Sequence, residues 1–298
     1  MSIDKAGERM KRILRFQSCL ACPSCSGAID VFENSATCAS CKTIYSVRNS
    51  RLYFNEPPAR NDALDDIKGR LKDILGRYYY TVGVDLFAPT FPLSIRHEVL
   101  RHGNPSKMLI VDAGCGNRRI DDDVLCLDCF DYDEVDIVCD VTNPPLRKES
   151  VDAVITRALL EHIQDPFTTV KNFCACTRPG GFGIHLVPFL YPFHASPHDY
   201  FRFTHKGLEE LYKGFTIEEM IPVTGPVTLF ILILQEFLSS LLSFGNERLK
   251  GYLHLALCII SPFKFLDFPF VRRKCFLGMA PSILTTIRKP LSALQPVR

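Results

Sequence analysis

Hydrophobic positions give the chain two textures. From residue 107 onward, apolar runs of strand length alternate with stretches of helical periodicity. Residues 107–112, 124–127, 136–139, 151–156, 183–188 and 215–223 read as six successive strands, and 278–288 as a seventh. After the fourth strand, Asp165-Pro166 opens a helix, with the aspartate as N-cap and the proline where a missing N–H costs nothing. Phe167, Val170, Phe173, Cys174 and Thr177 are expected on its inner face, and Pro179-Gly180-Gly181 ends it. Strands alternating with helices predict a parallel sheet covered on both faces. Residues 226–270 break the rhythm as an apolar helical insertion before the last strand.

Upstream the pattern is finer. Residues 1–16 form a short basic lead-in, and 19–54 hold β-like runs such as 43–47 among cysteine pairs. Residues 55–61 carry two prolines and read as a linker. Leu64, Ile67, Leu71, Ile74, Leu75 and Tyr78 share one face of a helix capped by Asn61 or Asp62, and a shorter helix covers 94–101. The expected division is a small module at 17–54 and a large α/β domain at 62–298, with the insertion at 226–270.

Composition adds limits. With 47% hydrophobic and 23% charged residues in 298, disorder is excluded as the general state. A net charge of +2 gives no global pull toward nucleic acid or an anionic membrane. The first 15 residues lack the apolar stretch of a secretory signal, and 13 cysteines, an odd number, argue against a disulfide framework. A reducing, cytoplasmic setting is expected.

Four of those cysteines have a ligand's spacing. Cys22-Pro-Ser-Cys25 and Cys38-Ala-Ser-Cys41 form two knuckles with 12 residues between them. Four thiolates complete a closed tetrahedral shell, which predicts a structural zinc. Cys19, three residues before Cys22, is the alternative register. With the tail Thr43-Ile-Tyr-Ser-Val-Arg-Asn-Ser-Arg-Leu-Tyr53, the segment resembles the small zinc ribbons that accompany tRNA and ribosomal RNA methyltransferases.

The first long strand runs into Asp112-Ala-Gly-Cys-Gly116. Glycine is needed where a ligand must touch backbone. Arg119 stands where a dinucleotide fingerprint needs its third glycine, so a dinucleotide is disfavoured. Together with Val151-Asp-Ala-Val-Ile155, Leu160-Glu-His-Ile-Gln-Asp-Pro166 and Pro179-Gly-Gly181, the turn resembles the ordered motifs of class I S-adenosylmethionine-dependent methyltransferases, type 11. The resemblance implies a Rossmann-like seven-stranded sheet, with S-adenosyl-L-methionine as cofactor.

It also implies roles. Gly114, Cys115 and Gly116 would approach the methionine part and Asp112 would order the turn, while Asp128, or its rival Asp131, would bind the ribose diol. Asp140 and Val141 would hold the adenine edge, and Arg157 would lie beside the ring or the sulfonium. Residues 117–123 make a poor helix, so the usual first helix is expected to shrink to a turn.

The loop after the fifth strand, residues 188–204, should face the methyl group, because ligands in doubly wound sheets sit beyond the carboxyl ends of the strands. His194 and His198 are the candidate bases; Asp199 could orient a histidine and Arg202 could pair with an anionic substrate group. A similar His-Asp-Tyr-x-Arg-Phe-Thr segment in relatives resembling glycan-pathway enzymes points to a small-molecule, sugar or lipid-linked acceptor, with an O or N atom methylated. RNA is the alternative acceptor, favoured by Arg9, Lys11, Arg12 and Arg15 beside the ribbon, and a non-catalytic scaffold is the other. In the insertion, Glu236, Ser239, Ser240 and Ser243 form a narrow polar stripe. Charges interrupt both apolar runs, so no spanning helix is expected; ordinary packing on the sheet is one reading of the segment, and a dimer interface, a lid or a peripheral membrane contact are the others.

Overall fold

Helix α1 (Ile3–Arg15) opens the chain, and its Arg9 and Ile13 are buried together with Phe16 just beyond its end. The computed structural model describes residues 3–58, 74, 76, 78, 83, 85–88, 94–194 and 198–291. The helix expected around Leu64 to Tyr78, its cap and the boundary at 62 lie outside them, apart from isolated positions. Strands β1 (Ile29–Val31), β2 (Ser35–Cys38), β3 (Ile44–Arg48) and β4 (Arg51–Tyr53) form an antiparallel meander. Asn49 and Ser50, at φ +52 and +58, make the two-residue turn between β3 and β4, the conformation that matches hairpin twist.

The larger unit follows the predicted alternation. Its elements are α2 (Ile95–His102), β5 (Ile110–Ala113), β6 (Leu125–Asp128), β7 (Ile137–Val138), β8 (Val151–Arg157), α3 (Pro166–Cys176), β9 (Thr177–Pro188), α4 (His205–Leu211) and β10 (Thr216–Pro222). The insertion helices α5 (Pro226–Leu242) and α6 (Glu247–Leu257) come next, and β11 (Ser282–Arg288) closes the sheet. Every residue of β5 and β6 is buried, as parallel strands covered on both faces require. The order β7-β6-β5-β8-β9-β11-β10, with β11 antiparallel to both neighbours, is a Rossmann-like seven-stranded sheet. No helix separates β5 from β6, so the shortened first crossover is real.

Two expectations change. The buried residues of α3 are Pro166, Thr169, Val170, Phe173 and Cys176, with Thr177 buried just beyond its end as expected, whereas Phe167 and Cys174 line a shallow groove against α4. The cysteine module, moreover, is not a separate bead: β4 pairs in parallel with β7, through Leu52↔Ile137 and Tyr53↔Val138, so all eleven strands belong to one sheet.

The insertion buries a mixed face of α5 that includes Leu229, Ile231 and Leu232. Gln235 and Ser239 of α5 are buried while Phe230, Ile233, Phe237 and Leu241 are exposed. The polar stripe faces α6, where Glu236 pairs with Lys250 at 2.6 Å. The stretch Glu247–Asp267 is long and apolar enough to cross a membrane by length and composition, which revises the expectation drawn from its charges. Two of those charges are buried anchors. Lys264 Nζ donates to the carbonyls of Asp85 and Ala88 at 2.7 and 2.6 Å, and the Asp267 carboxylate accepts from the amides of Gly225, Val227 and Thr228 at the start of α5.

Candidate functional site

The carboxyl edge of β5 turns sharply because Gly114 and Gly116 take φ +72 and +59, a region closed to most side chains. Gly114 N and Cys115 N both donate to Leu127 O, and Gly116 N donates to Asp128 Oδ2 at 2.9 Å. A Cβ built on Gly116 meets nothing within 4 Å, so that residue faces open space; one on Gly114 would stand 2.7 Å from Leu159. The two glycines therefore differ: Gly116 borders the open cradle, and Gly114 makes room for a side chain from the loop after β8.

Asp112 is fully buried and accepts from Arg157 Nη2 at 2.6 Å. The same guanidinium nitrogen donates to Cys115 O at 3.0 Å, so Arg157 braces the turn from within the protein. Asp128 receives the amides of Gly116 and Phe130; burial raises its pKa, and those amides oppose the rise. Its rival Asp131 is engaged through its carbonyl by Arg51. Asp140 is exposed and accepts from Thr142 N and Oγ1 at 2.9 and 2.7 Å, and Val141 beside it is buried. Arg119, in place of a third glycine, points inward to Asp136 at 2.9 Å.

The loop after β9 is tied to itself. Arg202 donates to Tyr191 O, Pro192 O and both oxygens of Asp199, and Asp199 Oδ2 also accepts His194 N at 2.8 Å. Burial pushes the Asp199 pKa up, but the bonds from Arg202 and His194 N outweigh it and leave the carboxylate below its ordinary range. Asp199 and Arg202 thus position the loop. His194 is half-buried, which lowers its pKa. His198 is exposed, and its carbonyl accepts from His162 Nδ1 at 2.5 Å. Thr204 caps α4 by accepting Gly207 N. An apolar groove of about 840 Å³ lies between residues 189–192 of this loop and Ile233, Phe237 and Leu241 of α5.

The sequence reading gave no role to Glu161 and His162, though both stand in the quoted Leu160–Pro166 motif. Glu161 is fully buried, neither carboxylate oxygen has a hydrogen-bond partner, and burial pushes its pKa up to about 8. His162 and His194 meet edge to face, with ring centroids 5.2 Å apart.

Far from this edge, Cys22, Cys25, Cys38 and Cys41 bring their sulfurs within 4.8 Å of one another. Cys22–Cys41 and Cys25–Cys38 stand 3.7 and 3.4 Å apart, near the ~3.8 Å edge of a tetrahedron with zinc–sulfur bonds of about 2.3 Å. The knuckles match in backbone: Ser26 N donates to Cys22 O and Lys42 N to Cys38 O, each at positive φ. Cys19 stays outside, its thiol donating to Ser150 O at 3.3 Å. The lead-in arginines face inward: Arg9 donates to Asn49 O and Asp133 O, Arg12 pairs with Asp136, and Arg15 with Asp123. That removes three of the four basic groups that favoured RNA.

Residues 111–184 match the family described as Methyltransferase domain. No curated protein matches the chain significantly. Among solved structures, phosphoethanolamine N-methyltransferase 2 of Haemonchus contortus, in complex with S-adenosyl-L-methionine, is 17% identical with a TM-score of 0.43, over 74% of this chain and 60% of that one. An S-adenosylmethionine-dependent methyltransferase of Mesorhizobium loti is 14% identical with a TM-score of 0.39, over 66% and 98%. A chain from the Haloferax volcanii complex of a methyltransferase with its activator is 17% identical with a TM-score of 0.38, over 78% and 100%.

Proposed function

We propose that this chain transfers a methyl group from S-adenosyl-L-methionine to an O or N atom of a small-molecule, sugar or lipid-linked acceptor. The observation that carries the reading is the glycine turn at the edge of β5, open at Gly116 and flanked by the Asp128 carboxylate, inside the segment that matches the methyltransferase domain. The cofactor, when bound, supplies an electrophilic methyl on sulfur. The Gly116 backbone would hold its methionine part, Asp128 would accept from the ribose hydroxyls, and Asp140 with Val141 would hold the adenine edge. Asp112 and Arg157 hold the turn.

Much of the rate then comes from positioning, since the donor is already activated. His194 is the base for an acceptor hydroxyl: its lowered pKa keeps the imidazole neutral near pH 7 and able to take the proton. His198 is the second candidate, and the Asp199–Arg202 pair positions both. The groove beside residues 189–192 supports an acceptor with an apolar part, and the outward apolar face of α5 supports peripheral contact with a membrane surface. The four thiolates fit a structural zinc, which would fix the two knuckles and take no part in the reaction.

Calorimetry with S-adenosyl-L-methionine tests the cofactor assignment. The wild type is expected to bind, Gly116→Val to lose binding, and Asp128→Ala, which adds no bulk to the turn but removes both the ribose acceptor and the partner of Gly116 N, to bind at least ~10-fold more weakly, the scale of a lost charged hydrogen bond. A wild type that binds none of the cofactor overturns the reading.

A further inference from the structure

Glu161 and His162, which no step above uses, form a cluster with His194, and a cation held there would make His194 a ligand and leave the base role to His198. We infer that these three side chains make a second metal site, a two-histidine, one-carboxylate set for a divalent cation such as manganese(II) or iron(II), at the acceptor edge of the sheet.

Three observations carry the inference. The donor atoms of the three side chains lie within 4.8 Å of one another, and His162 Nε2 stands 3.9 Å from Glu161 Oε1. Next, the Glu161 carboxylate is fully buried with both oxygens unpartnered. Burial without a partner is costly for a polar group, and a bound cation would satisfy both oxygens. Arg202 is the cation whose charge reaches it, with Asp199 opposing, and neither is hydrogen-bonded to it.

The third observation is the outer shell. His162 donates its Nδ1–H to His198 O, which fixes the tautomer with the Nε2 lone pair toward Glu161. Metal-binding histidines are oriented in this way. His194 Nδ1 has Pro192 O at 3.3 Å and Asp199 Oδ2 at 3.6 Å, which leaves its Nε2 for the cation. Arg202 Nη2, also 3.3 Å from that Nδ1, competes as a donor, so metal binding would select the tautomer that points at Pro192 and Asp199.

Two imidazoles and a carboxylate suit borderline divalent cations and leave coordination positions open. Donors around such an ion stand about 3 Å apart at bonds of about 2.1 Å, so the cluster must contract when it fills. The cluster begins two residues beyond Leu159, which packs over Gly114. An open position there would hold an acceptor oxygen as a Lewis acid does. The cation site stands on its own; only that use of it rests on the proposed methyl transfer.

The test is manganese(II) uptake by the full chain with its ribbon zinc in place, read from the electron paramagnetic resonance signal of free Mn²⁺. Thiolates prefer softer ions, so the ribbon does not compete. The wild type is expected to bind one Mn²⁺ and to melt at a higher temperature with it. Glu161→Gln and His194→Ala should each weaken uptake at least tenfold and lose the thermal shift. His194 is partly exposed, so its variant keeps the fold if Glu161→Gln does not. No uptake by the wild type at millimolar Mn²⁺, or uptake unchanged in folded His194→Ala, overturns the inference. Either result leaves cofactor binding at Gly116 untouched.

Discussion

The cysteine module and the apolar insertion both extend the same sheet-based core, but they are attached by different physics. The module joins through backbone: β4 adds to the sheet at β7, with Leu52 N and Phe54 N donating to Asp136 O and Val138 O. Side chains then seal the seam, as Arg51 donates to the carbonyls of Val135, Asp131 and Tyr132, and Arg9, Arg12 and Arg119 gather around buried Asp136. The insertion has no such strand pairing; Lys264 ties it to the carbonyls of Asp85 and Ala88, Asp267 ties its end back to the start of α5, and Phe230, Ile233, Phe237 and Leu241 face out. A seam of repeated backbone bonds spreads its stability over many groups. A point anchor concentrates it, and frees the remaining surface for another use.

The largest expected effect comes from breaking the module. Stripping zinc with a chelator should remove binding free energy of about 10 kcal/mol, the scale of structural zinc sites, and unfold residues 22–48. Purified protein should hold about one tightly bound zinc per chain, as a closed shell of four thiolates requires. Hydrogen exchange should then rise across β1 to β3 and stay slow in β5, β8 and β9. Slow exchange in β1 to β3 after complete metal removal would show that the seam alone folds the module.

Breaking the insertion should cost less. Asp267→Ala leaves three amides at the start of α5 without their acceptor, those of Gly225 and Thr228 buried and that of Val227 half-buried, roughly 3 kcal/mol by the usual cost of such losses. Faster exchange in α5 and a lower melting temperature are expected, with the zinc content unchanged. If Asp267→Ala melts with the wild type, the point-anchor description is wrong and apolar packing holds the insertion.

How far each part could be read from sequence follows from the same contrast. Strand alternation, the Asp165 cap and the two knuckles are local patterns, and the structure reproduces them. The four cysteines meet because spacing within each knuckle already fixes half of the shell. Nothing local announced that α5 turns its polar stripe inward, because that orientation depends on Lys250 and on Asp267, 40 residues from the Val227 amide it caps. The expectation for α3 held at Val170, Phe173 and Thr177 and failed at Phe167 and Cys174, which lie at the edge of the buried stripe and line an open groove beside α4. At the site, the motifs located the glycine turn, yet burial decides which side chain is unusual there, and the emptiness around the Glu161 carboxylate has no sequence signature.

The core that both appendages share supplies the smallest effect and the reference for the other two. His185 on β9 is fully buried, with Nδ1 2.8 Å from Thr156 Oγ1 and its ring stacked between Phe173 and Tyr212. Burial lowers its pKa to about 3. An unfolded histidine titrates near 6.5, so the unfolded chain binds the extra proton first as pH falls. The contribution is therefore fully present above pH ~6.5 and lost as pH drops toward 3, by at most about 1.4 kcal/mol per pH unit. Denaturant titrations between pH 7 and 5 should show wild-type stability declining at acid pH. His185→Gln, which keeps a hydrogen-bonding group but has nothing to protonate, should make the decline shallower. Asp267→Ala, although less stable, should keep the wild-type slope, because its loss lies in the insertion and not in the sheet. An unchanged slope in His185→Gln would place the acid sensitivity elsewhere, and a flattened one in Asp267→Ala would mean that the insertion and the core do not respond as separate units.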